Sequence, residues 1–285
     1  MSSIVCLETL DAMMTYRDQL LPGQNVALVP TMGSLHQGHL ALVEEAKRLA
    51  PEVIVSIFVN PLQFGPHEDF EKYPRDLARD LRLLESYRPL SVFAPSVSEM
   101  YPQGPSRTVI TLPSMTNVMC GLGRPGHFDG VATVVCKLFN IVRPSVALFG
   151  KKDAQQLAII GQLTRDLNFP VEIVGVPTVR EPSGLALSSR NQYLTPVEKD
   201  RAAFLYQALL AGQKRFEGGE RNAEKLVEEV ADVLREHSIE PEYVSLVDAN
   251  TLVPLEEELG TSRAILALAA RIGKARLIDN VVLEP

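Results

Sequence analysis

The stretch VALVPTMGSLHQGHLALVEEAKRL, residues 26–49, decides the fold class. Its opening residues are apolar on both faces, which is typical of a strand buried inside a sheet, and we predict this strand over residues 25–31. A turn that contains glycine follows, and apolar residues then recur at helical spacing over residues 40–49. Strand, turn and helix in this order predict the first βα unit of an α/β fold.

The alternation of strands and helices continues up to residue 176. Further strands are predicted at residues 53–59, 91–94, 145–150 and 171–176, with helices at 75–84, 131–142 and 155–167. A helix between two strands lets them run parallel in one sheet. The pattern therefore predicts a Rossmann-like, doubly wound, mostly parallel sheet.

A different pattern begins after residue 178. The loop TVREPSGLALSSRNQYL leads to Thr195 and Pro196, which are typical of a helix N-cap and of the first helical position. Two predicted helices, residues 196–216 and 222–236, precede the strand-like segments YVSLV, AILALAARI and ARLIDNVVL. We therefore expect a Rossmann-like catalytic domain over residues 1–183 and a smaller α+β domain over residues 184–285.

The overall charge limits the class of partner. The 285 residues include 28 Lys and Arg against 35 Asp and Glu, which gives a formal net charge of -7. This balance argues against nucleic-acid and anionic-membrane binding, because such surfaces need an excess of cationic side chains. The odd number of cysteines (Cys6, Cys120 and Cys136) favours a reducing compartment. With no signal-peptide pattern and no long apolar segment, we expect a cytoplasmic protein.

Polar residues follow several predicted strands, where a parallel sheet binds its ligands. His36 and His39 lie where the first turn enters its helix, beside Gly33 and Gly38, which would let the backbone approach a ligand closely. Amides at a helix N-terminus favour phosphate, and imidazoles can donate hydrogen bonds to phosphate oxygens. Two other interpretations stay open: a helix-capping histidine beside an exposed one, and a zinc pair, for which no third ligand is evident nearby.

Cationic and hydroxyl side chains follow two later segments. Lys152 and Asp153 come after the strand that ends at Gly150, where Lys can reach phosphate and Asp can accept from a ribose hydroxyl or a Mg²⁺-bound water. Ser-Ser-Arg at residues 188–190 offers two hydroxyls and a permanent cation in a loop suited to closing over a triphosphate. Taken alone, Lys-Lys-Asp at a strand end is more often a solvated loop, and turn chemistry would explain Ser-Ser-Arg equally well.

Two glutamines complete the candidate site. Gln63 and Gln156 can both donate and accept, which suits a small polyol or carboxylate substrate, although a single loop glutamine is usually only solvated. The sequence has neither a P-loop pattern nor a Gly-x-Gly-x-x-Gly pattern after a strand. A hydride-transfer enzyme is therefore disfavoured.

Six motifs together resemble those of the pantothenate synthetase (pantoate–β-alanine ligase) family, in the family's order and spacing. They are PTMGSLHQGH (30–39), FVNPLQFG (58–65), EDFEKYPRD (68–76), RPGHFDGV (124–131), FGKKDAQQL (149–157) and GLALSSRNQYL (184–194). The family is part of the nucleotidyl-transfer group related to class I aminoacyl-tRNA synthetases, whose two signatures correspond here to HQGH and LSSRN. The resemblance covers essentially the whole catalytic region.

The resemblance implies an ATP site that several of these motifs and one valine between them would form. Its residues would be Pro30, Met32, Gly33, Ser34, Leu35, His36, Gln37, Gly38, His39, Gly150, Lys151, Lys152, Asp153, Val179, Leu187, Ser188, Ser189 and Arg190. His39, His36 and Lys152 would be catalytic, with His39 as general acid or as a phosphate-stabilising group.

The resemblance also implies the other partners of the reaction. Gln63 and Gln156 would bind pantoate, and Gln63 would also meet β-alanine. Mg²⁺ would accompany ATP with no assigned protein ligand. The family implies a homodimer, the second domain would form a lid, and residues 65–74 are a candidate flap over a pantoyl adenylate intermediate.

Four positions depart from the family pattern, and two rival functions are considered. Lys151 stands where an acidic residue is common, Ala154 where an aromatic is common, Ser183 where Asp is frequent and Leu187 where Met is usual. None of these changes removes a group with an assigned chemical role. The rivals are a nucleotidyltransferase that moves AMP onto a phosphate ester, and a nucleotide sensor without catalysis. Retention of both histidines and Lys152 disfavours the sensor.

Overall fold

The computed structural model of the protein describes residues 4–66, 68, 70–104 and 106–284. Two residues of the expected flap, His67 and Asp69, lie outside the described residues. Within these ranges, no helix is both long enough and apolar enough to cross a membrane.

The bounds of the secondary structure elements are as follows. The strands are β1 (Val5–Leu7), β2 (Val26–Thr31), β3 (Glu52–Ile57), β4 (Ser91–Phe93), β5 (Val146–Gly150), β6 (Glu172–Val176), β7 (Pro241–Asp248), β8 (Ala264–Ile272) and β9 (Ala275–Leu283). The α-helices are α1 (Leu10–Gln19), α2 (Gln37–Leu49), α3 (Leu77–Leu84), α4 (Val97–Met100), α5 (Pro113–Thr116), α6 (Cys120–Gly123), α7 (His127–Val142), α8 (Ala154–Asp166), α9 (Pro196–Ala202), α10 (Phe204–Glu217) and α11 (Ala223–Glu236). Short 3₁₀ helices cover Pro61–Gln63, Phe70–Lys72, Glu85–Tyr87 and Ser189–Tyr193.

The first six strands form one parallel sheet in the order β1-β4-β3-β2-β5-β6. The chain leaves β2 toward β3 on one side, and returns to β5 on the other side. The strand order therefore reverses next to β2, and such a reversal opens a ligand-binding crevice at the carboxyl ends of the two neighbouring strands. This sheet, together with the smaller antiparallel one, confirms the predicted fold class.

Helix α2 packs one apolar stripe against the parallel sheet. Leu40, Val43 and Ala46, at helical spacing, are buried and join a core with Val29 of β2 and Val55 of β3. Two charged pairs with Arg48 lie on the solvated side of the helix. Burial of this stripe fixes the rotation of α2 and so the direction in which its first turn faces.

The last three strands form an antiparallel sheet in the order β7-β8-β9, with α10 and α11 packed on it. Leucines and valines of both helices and of β8 form its core. Gly212 lies in the middle of α10, where a side-chain carbon added to the glycine would come within 2.7 Å of Leu266 and 2.8 Å of Val230. A glycine is required there because the helix approaches its neighbours so closely.

The chain divides into two compact units, each assembled from separate stretches. The parallel-sheet unit comprises Met1–Leu112, Arg124–Gly150 and Ile159–Val176, and the antiparallel-sheet unit comprises Pro113–Gly123, Lys151–Ala158 and Pro177–Pro285. Two short stretches before residue 183 thus belong to the second unit. The predicted boundary between residues 183 and 184 and the role of a lid stay predictions.

Several local features differ from the sequence-based expectation. Helix α1 is not predicted, because its apolar residues do not recur at a clear helical spacing. Strand β1 is not predicted, because three residues at the edge of a sheet are too few to give a readable period. The helix expected over residues 196–216 is two helices, α9 and α10, which meet at Ala203. The predicted N-cap is confirmed: Thr195 accepts from the backbone N–H of Glu198, whose carboxylate accepts in return from that of Thr195.

Candidate functional site

His36 and His39 form the N-terminal cap of α2, and we call them the histidine pair. Nδ1 of His36 accepts the backbone N–H of Gly38 at 3.1 Å, and Nδ1 of His39 accepts the backbone N–H of His36 at 3.3 Å. The two rings lie 4.1 Å apart between centroids. Because α2 follows β2, the pair stands at the point where the strand order reverses.

These hydrogen bonds determine the tautomer of each imidazole. A ring nitrogen that accepts an N–H carries no proton, so each neutral ring holds its proton on Nε2. Each histidine is therefore a cap through Nδ1 and a donor through Nε2. The capping interpretation and the catalytic interpretation are compatible, since they use different nitrogens of the same ring. A cluster of three or more metal-ligating side chains is absent from the described residues.

The turn before the pair is held by Asp80 of α3, which sequence analysis missed. Asp80 is 1% exposed and accepts the backbone N–H groups of Ser34 and Leu35, both at 2.8 Å. Burial raises the pKa of Asp80, while these two hydrogen bonds oppose the rise. The amides of Ser34 and Leu35 are therefore engaged by the protein and are not open to a phosphate group.

The two glycines of the motif also serve protein contacts. Gly33 has φ of +78°, and a side chain there would approach the Asp80 carboxylate at 3.0 Å. A side chain at Gly38 would approach the ring of His36 at 2.9 Å. In the structure each glycine makes room for a protein side chain, and the close approach of a ligand at these positions stays a prediction.

Gln63 ends the 3₁₀ helix after β3, and its side chain is fixed by Asn60. Asn60 is fully buried and donates from Nδ2 to Oε1 of Gln63 at 3.1 Å and to the carbonyl of Gly130 at 3.0 Å. Its Oδ1 accepts from the hydroxyl of Tyr101 at 2.9 Å. Since Oε1 of Gln63 already accepts, its NH₂ group is the part of the amide left for a ligand.

The backbone of Gln63 is held from α7 and from the loop before it. Arg124 donates from Nη1 to Nε2 of His127 at 2.9 Å, so the proton of this imidazole is on Nδ1, which donates to the carbonyl of Gln63 at 2.8 Å. Arg124 also forms two hydrogen bonds of 2.6 and 2.7 Å with Glu68. At Gly130, a side-chain carbon would lie 2.1 Å from the carbonyl of Leu62, so only glycine allows this packing.

Lys152, in the antiparallel-sheet unit, follows the end of β5. Burial lowers the pKa of its ammonium group, the charges of Asp279 and Asp153 oppose this, and the charge of Arg190 adds to it. Neither Lys152 nor Arg190 forms a side-chain hydrogen bond or an ion pair with any described residue. Lys151 beside it is exposed. The carboxylates of Asp279 and Asp153 act on Lys152 more strongly than the charge of Arg190 does, although neither is hydrogen-bonded to the ammonium group.

Val179, Leu187 and Ser188 lie on the same loop as Arg190. The backbone N–H of Leu187 donates to the carbonyl of Val179 at 2.9 Å, which brings these two together. Ser188 caps the 3₁₀ helix Ser189–Tyr193 and accepts the N–H of Arg190 at 3.2 Å. Ser188 thus has the turn role that sequence analysis left open, while the guanidinium of Arg190 makes no described ion pair.

Asp153 and the first two glutamines of α8, Gln155 and Gln156, have different surroundings. Asp153 accepts the backbone N–H of Gln156 at 2.9 Å at the start of the helix. Gln155 is 4% exposed and holds the segment around Cys120 through its side-chain amide. The neighbouring Gln156 is half-buried, and no described residue is hydrogen-bonded to its side chain. Of these two glutamines, only Gln156 therefore has a side-chain amide that a substrate could use.

Known proteins resemble this chain over almost its whole length. The family model for pantoate–beta-alanine ligase matches residues 5–282. A pantothenate synthetase from Chloroflexus aggregans is 56% identical over 259 residues, which are 90% of this chain and 93% of that protein.

Two solved structures have the same fold. A pantothenate synthetase from Thermus thermophilus matches with a TM-score of 0.90 and 46% identity, over 99% of this chain and 100% of that one. A pantoate–β-alanine ligase from Francisella tularensis, complexed with βγ ATP and β-alanine, matches with a TM-score of 0.79 and 35% identity, over 98% of each chain. The chain therefore belongs to the pantoate–β-alanine ligase family.

Proposed function

We propose that this chain joins pantoate to β-alanine at the expense of ATP, releasing AMP and pyrophosphate, through a pantoyl adenylate. Membership of the ligase family supports the overall reaction. The intermediate is proposed on chemical grounds. A carboxylate is a poor acyl donor, and adenylation converts one of its oxygens into part of a good leaving group.

The observation that carries the proposal is the pair of cations Lys152 and Arg190. Burial and the charge of Arg190 both disfavour the charged form of Lys152, and a polyanion bound at these residues would favour it. A triphosphate supplies such charge in a form that neither pantoate nor β-alanine offers. We therefore assign both residues to the phosphates of ATP, with Val179, Leu187 and Asp153 as further nucleotide contacts.

The histidine pair would act in the adenylation step. An oxygen of the pantoate carboxylate attacks the α-phosphorus of ATP, and the bond to the bridging oxygen of pyrophosphate breaks. Negative charge develops on the phosphate oxygens during this step. The Nε2–H of His39, held in direction by its Nδ1 hydrogen bond, would donate to that charge, with His36 beside it.

The amide of Gln63 would orient pantoate, together with Gln156. The NH₂ group of Gln63 suits a carboxylate or hydroxyl oxygen, because its Oε1 is engaged by Asn60. The amine of β-alanine then attacks the acyl carbon of the adenylate and AMP leaves. Gln63 would also meet β-alanine in this second step.

Three further properties belong to the proposal. Mg²⁺ would neutralise charge on the phosphates, and we assign it no protein ligand. We also propose a homodimer in the cytoplasm, and light scattering tests the dimer, since a monomer at micromolar concentration would contradict it.

Pyrophosphate exchange tests the adenylate. With ATP, Mg²⁺ and pantoate but no β-alanine, the enzyme should exchange labelled pyrophosphate into ATP, because adenylation is reversible and the acyl adenylate stays bound. A mechanism through an acyl phosphate would release ADP and give no such exchange. A nucleotidyltransferase acting on phosphate esters would ignore pantoate, and a nucleotide sensor would show no exchange with any acid.

One result would end the proposed chemistry: no pantoate-dependent exchange in folded protein that binds ATP, together with no pantoyl adenylate by mass spectrometry after a single turnover. The second measurement is needed because a closed site could retain pyrophosphate and suppress exchange.

A further inference from the structure

Two adjacent residues near the end of the chain, Asp279 and Asn280, hold two separate stretches of the antiparallel-sheet unit. Both lie on β9, and neighbouring residues of a strand face opposite sides of the sheet. Each side chain therefore reaches a different stretch. The two stretches are those that carry the proposed phosphate contacts, Lys152 and Arg190.

Asn280 holds the stretch that contains Lys152. Its Nδ2 donates to the backbone carbonyls of Lys151 at 3.0 Å and of Lys152 at 2.9 Å. These two bonds use both N–H groups of the amide. Two consecutive carbonyls that point at one side chain fix the peptide planes around Lys152, and with them the direction in which its side chain leaves the backbone.

Asp279 holds the stretch that leads to Arg190. Its carboxylate is 3% exposed and forms two hydrogen bonds with Arg180, of 2.5 and 2.9 Å. Arg180 also donates to the carbonyl of Gly184 at 3.1 Å, and its guanidinium lies 3.5 Å from the ring centre of Tyr206. The charge of Asp279 acts on Lys152 as well, where it opposes the lowering of that pKa.

We propose that Asn280 is a positioning residue for ATP, which sets the direction of Lys152 through the carbonyls of residues 151 and 152. This inference rests on the proposed function, because it assigns Lys152 to the triphosphate. Asn280 touches neither the substrate nor the reacting atoms in this proposal. Removal of the Asn280 side chain should therefore weaken the binding of ATP. The protein should stay folded, because Asn280 is only partly buried and lies outside the apolar core.

The test compares three substitutions at position 280 by pyrophosphate exchange. Asn280→Ala should raise the KM for ATP about five- to fiftyfold, the effect of losing one or two neutral hydrogen bonds, and should change the KM for pantoate by less than about twofold. Asn280→Asp should raise the KM for ATP more than Asn280→Ala does, since a carboxylate oxygen would face two carbonyl oxygens. Asn280→Gln, which keeps the donor amide, should recover part of the affinity for ATP.

The matched control is Asn222→Ala. Asn222 caps α11 by accepting the N–H of Lys225 at 2.9 Å, so its loss should lower the melting temperature without a selective change in ATP affinity. Isothermal titration with MgATP, in the absence of pantoate, reports ATP binding directly. This titration tests the positioning role of Asn280 separately from the proposed reaction, because the wild-type protein can bind ATP even if pantoate-dependent exchange fails.

Weaker MgATP binding in Asn280→Ala and unchanged binding in Asn222→Ala would support the positioning role. Three results would overturn it: unchanged MgATP binding in folded Asn280→Ala, an equal rise in the KM for ATP and for pantoate, or a loss that follows the melting temperature in both the 280 and the 222 variants.

Discussion

His36 and His39 are oriented by hydrogen bonds that begin and end within four residues, whereas Lys152 is held by Asn280, which lies 128 residues further along the chain. The hydrogen bonds that fix the tautomers of the histidine pair are therefore local to its own turn and helix. The loop of Lys152 needs the completed antiparallel sheet. Two parts of a proposed site can therefore depend on the completed fold to very different extents.

The largest expected effect is on the histidine pair. His39→Ala removes a preorganised donor and should lower the kcat of pantoate-dependent pyrophosphate exchange about a hundred- to a thousandfold, while the protein stays folded. His39→Asn keeps a side-chain oxygen that can accept the N–H of His36 but lacks the Nε2 donor. It should be more stable than His39→Ala and equally inactive, as measured by exchange and by thermal unfolding.

His237→Ala is the matched control, because this ring stacks on Phe204 in the antiparallel-sheet unit and has no proposed part in the reaction. It should leave exchange unchanged. If folded His39→Ala keeps its specific activity, His39 is only a helix cap, and the proposed catalytic role of the histidine pair is wrong.

The second effect tests the long-range side of the comparison. Lys152→Ala should weaken ATP use about ten- to a hundredfold, because it removes a charge-assisted contact to phosphate, whereas Lys151→Ala should change little. The exposed side chain of Lys151 takes no part in the Asn280 contact, which uses only the backbone carbonyl of that residue. The KM for ATP in the exchange assay measures both. Equal losses at the two positions would mean that the assignment is shifted by one residue.

Sequence reasoning succeeded where the contacts are local. The strand before residue 32, the turn and the first helix follow from apolar spacing and glycine, and the N-cap at Thr195 follows from its Thr-Pro pair. The resemblance identified the polar residues of the motifs, but their supports were missed. Asp80 and Asn280 act through contacts with residues that are distant in sequence, and Asn60 is itself held by distant residues, Gly130 and Tyr101. Neither periodicity nor neighbouring residues encode such contacts.

A smaller effect is expected at Tyr101, which acts on Gln63 through Asn60. Burial raises the pKa of Tyr101 to about 12, so its hydroxyl remains a donor at neutral pH. Tyr101→Phe leaves Oδ1 of Asn60 with only the longer bond from Leu62, of 3.3 Å. The KM for pantoate should rise about two- to tenfold and the KM for ATP should not change.

Tyr16→Phe is the control, because that hydroxyl also lies in the parallel-sheet unit and is hydrogen-bonded to Glu52 and Ser91 instead. A rise in the KM for pantoate in both variants would attribute the effect to general loosening of the unit. Combining Tyr101→Phe with Gln63→Ala should add little to Gln63→Ala alone, since the two act on one amide.

The smallest effect concerns the ion pair between Glu68 and Arg124, a long-range support within the parallel-sheet unit. Burial opposes ionisation of Glu68, but the hydrogen bonds and the charge of Arg124 outweigh it and hold its pKa below the ordinary value of 4.5. A carboxyl group with a lowered pKa in the folded state adds stability above about pH 4.5, and this contribution is lost as the pH falls through the folded-state pKa. Glu68→Gln should therefore melt at a lower temperature than the wild type at about pH 7. The difference in melting temperature should close at acid pH, as followed by circular dichroism at constant ionic strength.

Glu44→Gln is the control, because it removes only an exposed ion pair with Arg48, and its melting temperature should differ little from that of the wild type at any pH. A gap for Glu68→Gln that is independent of pH would mean that the ion pair does not support the Gln63 turn, and that the local contacts of this unit are sufficient.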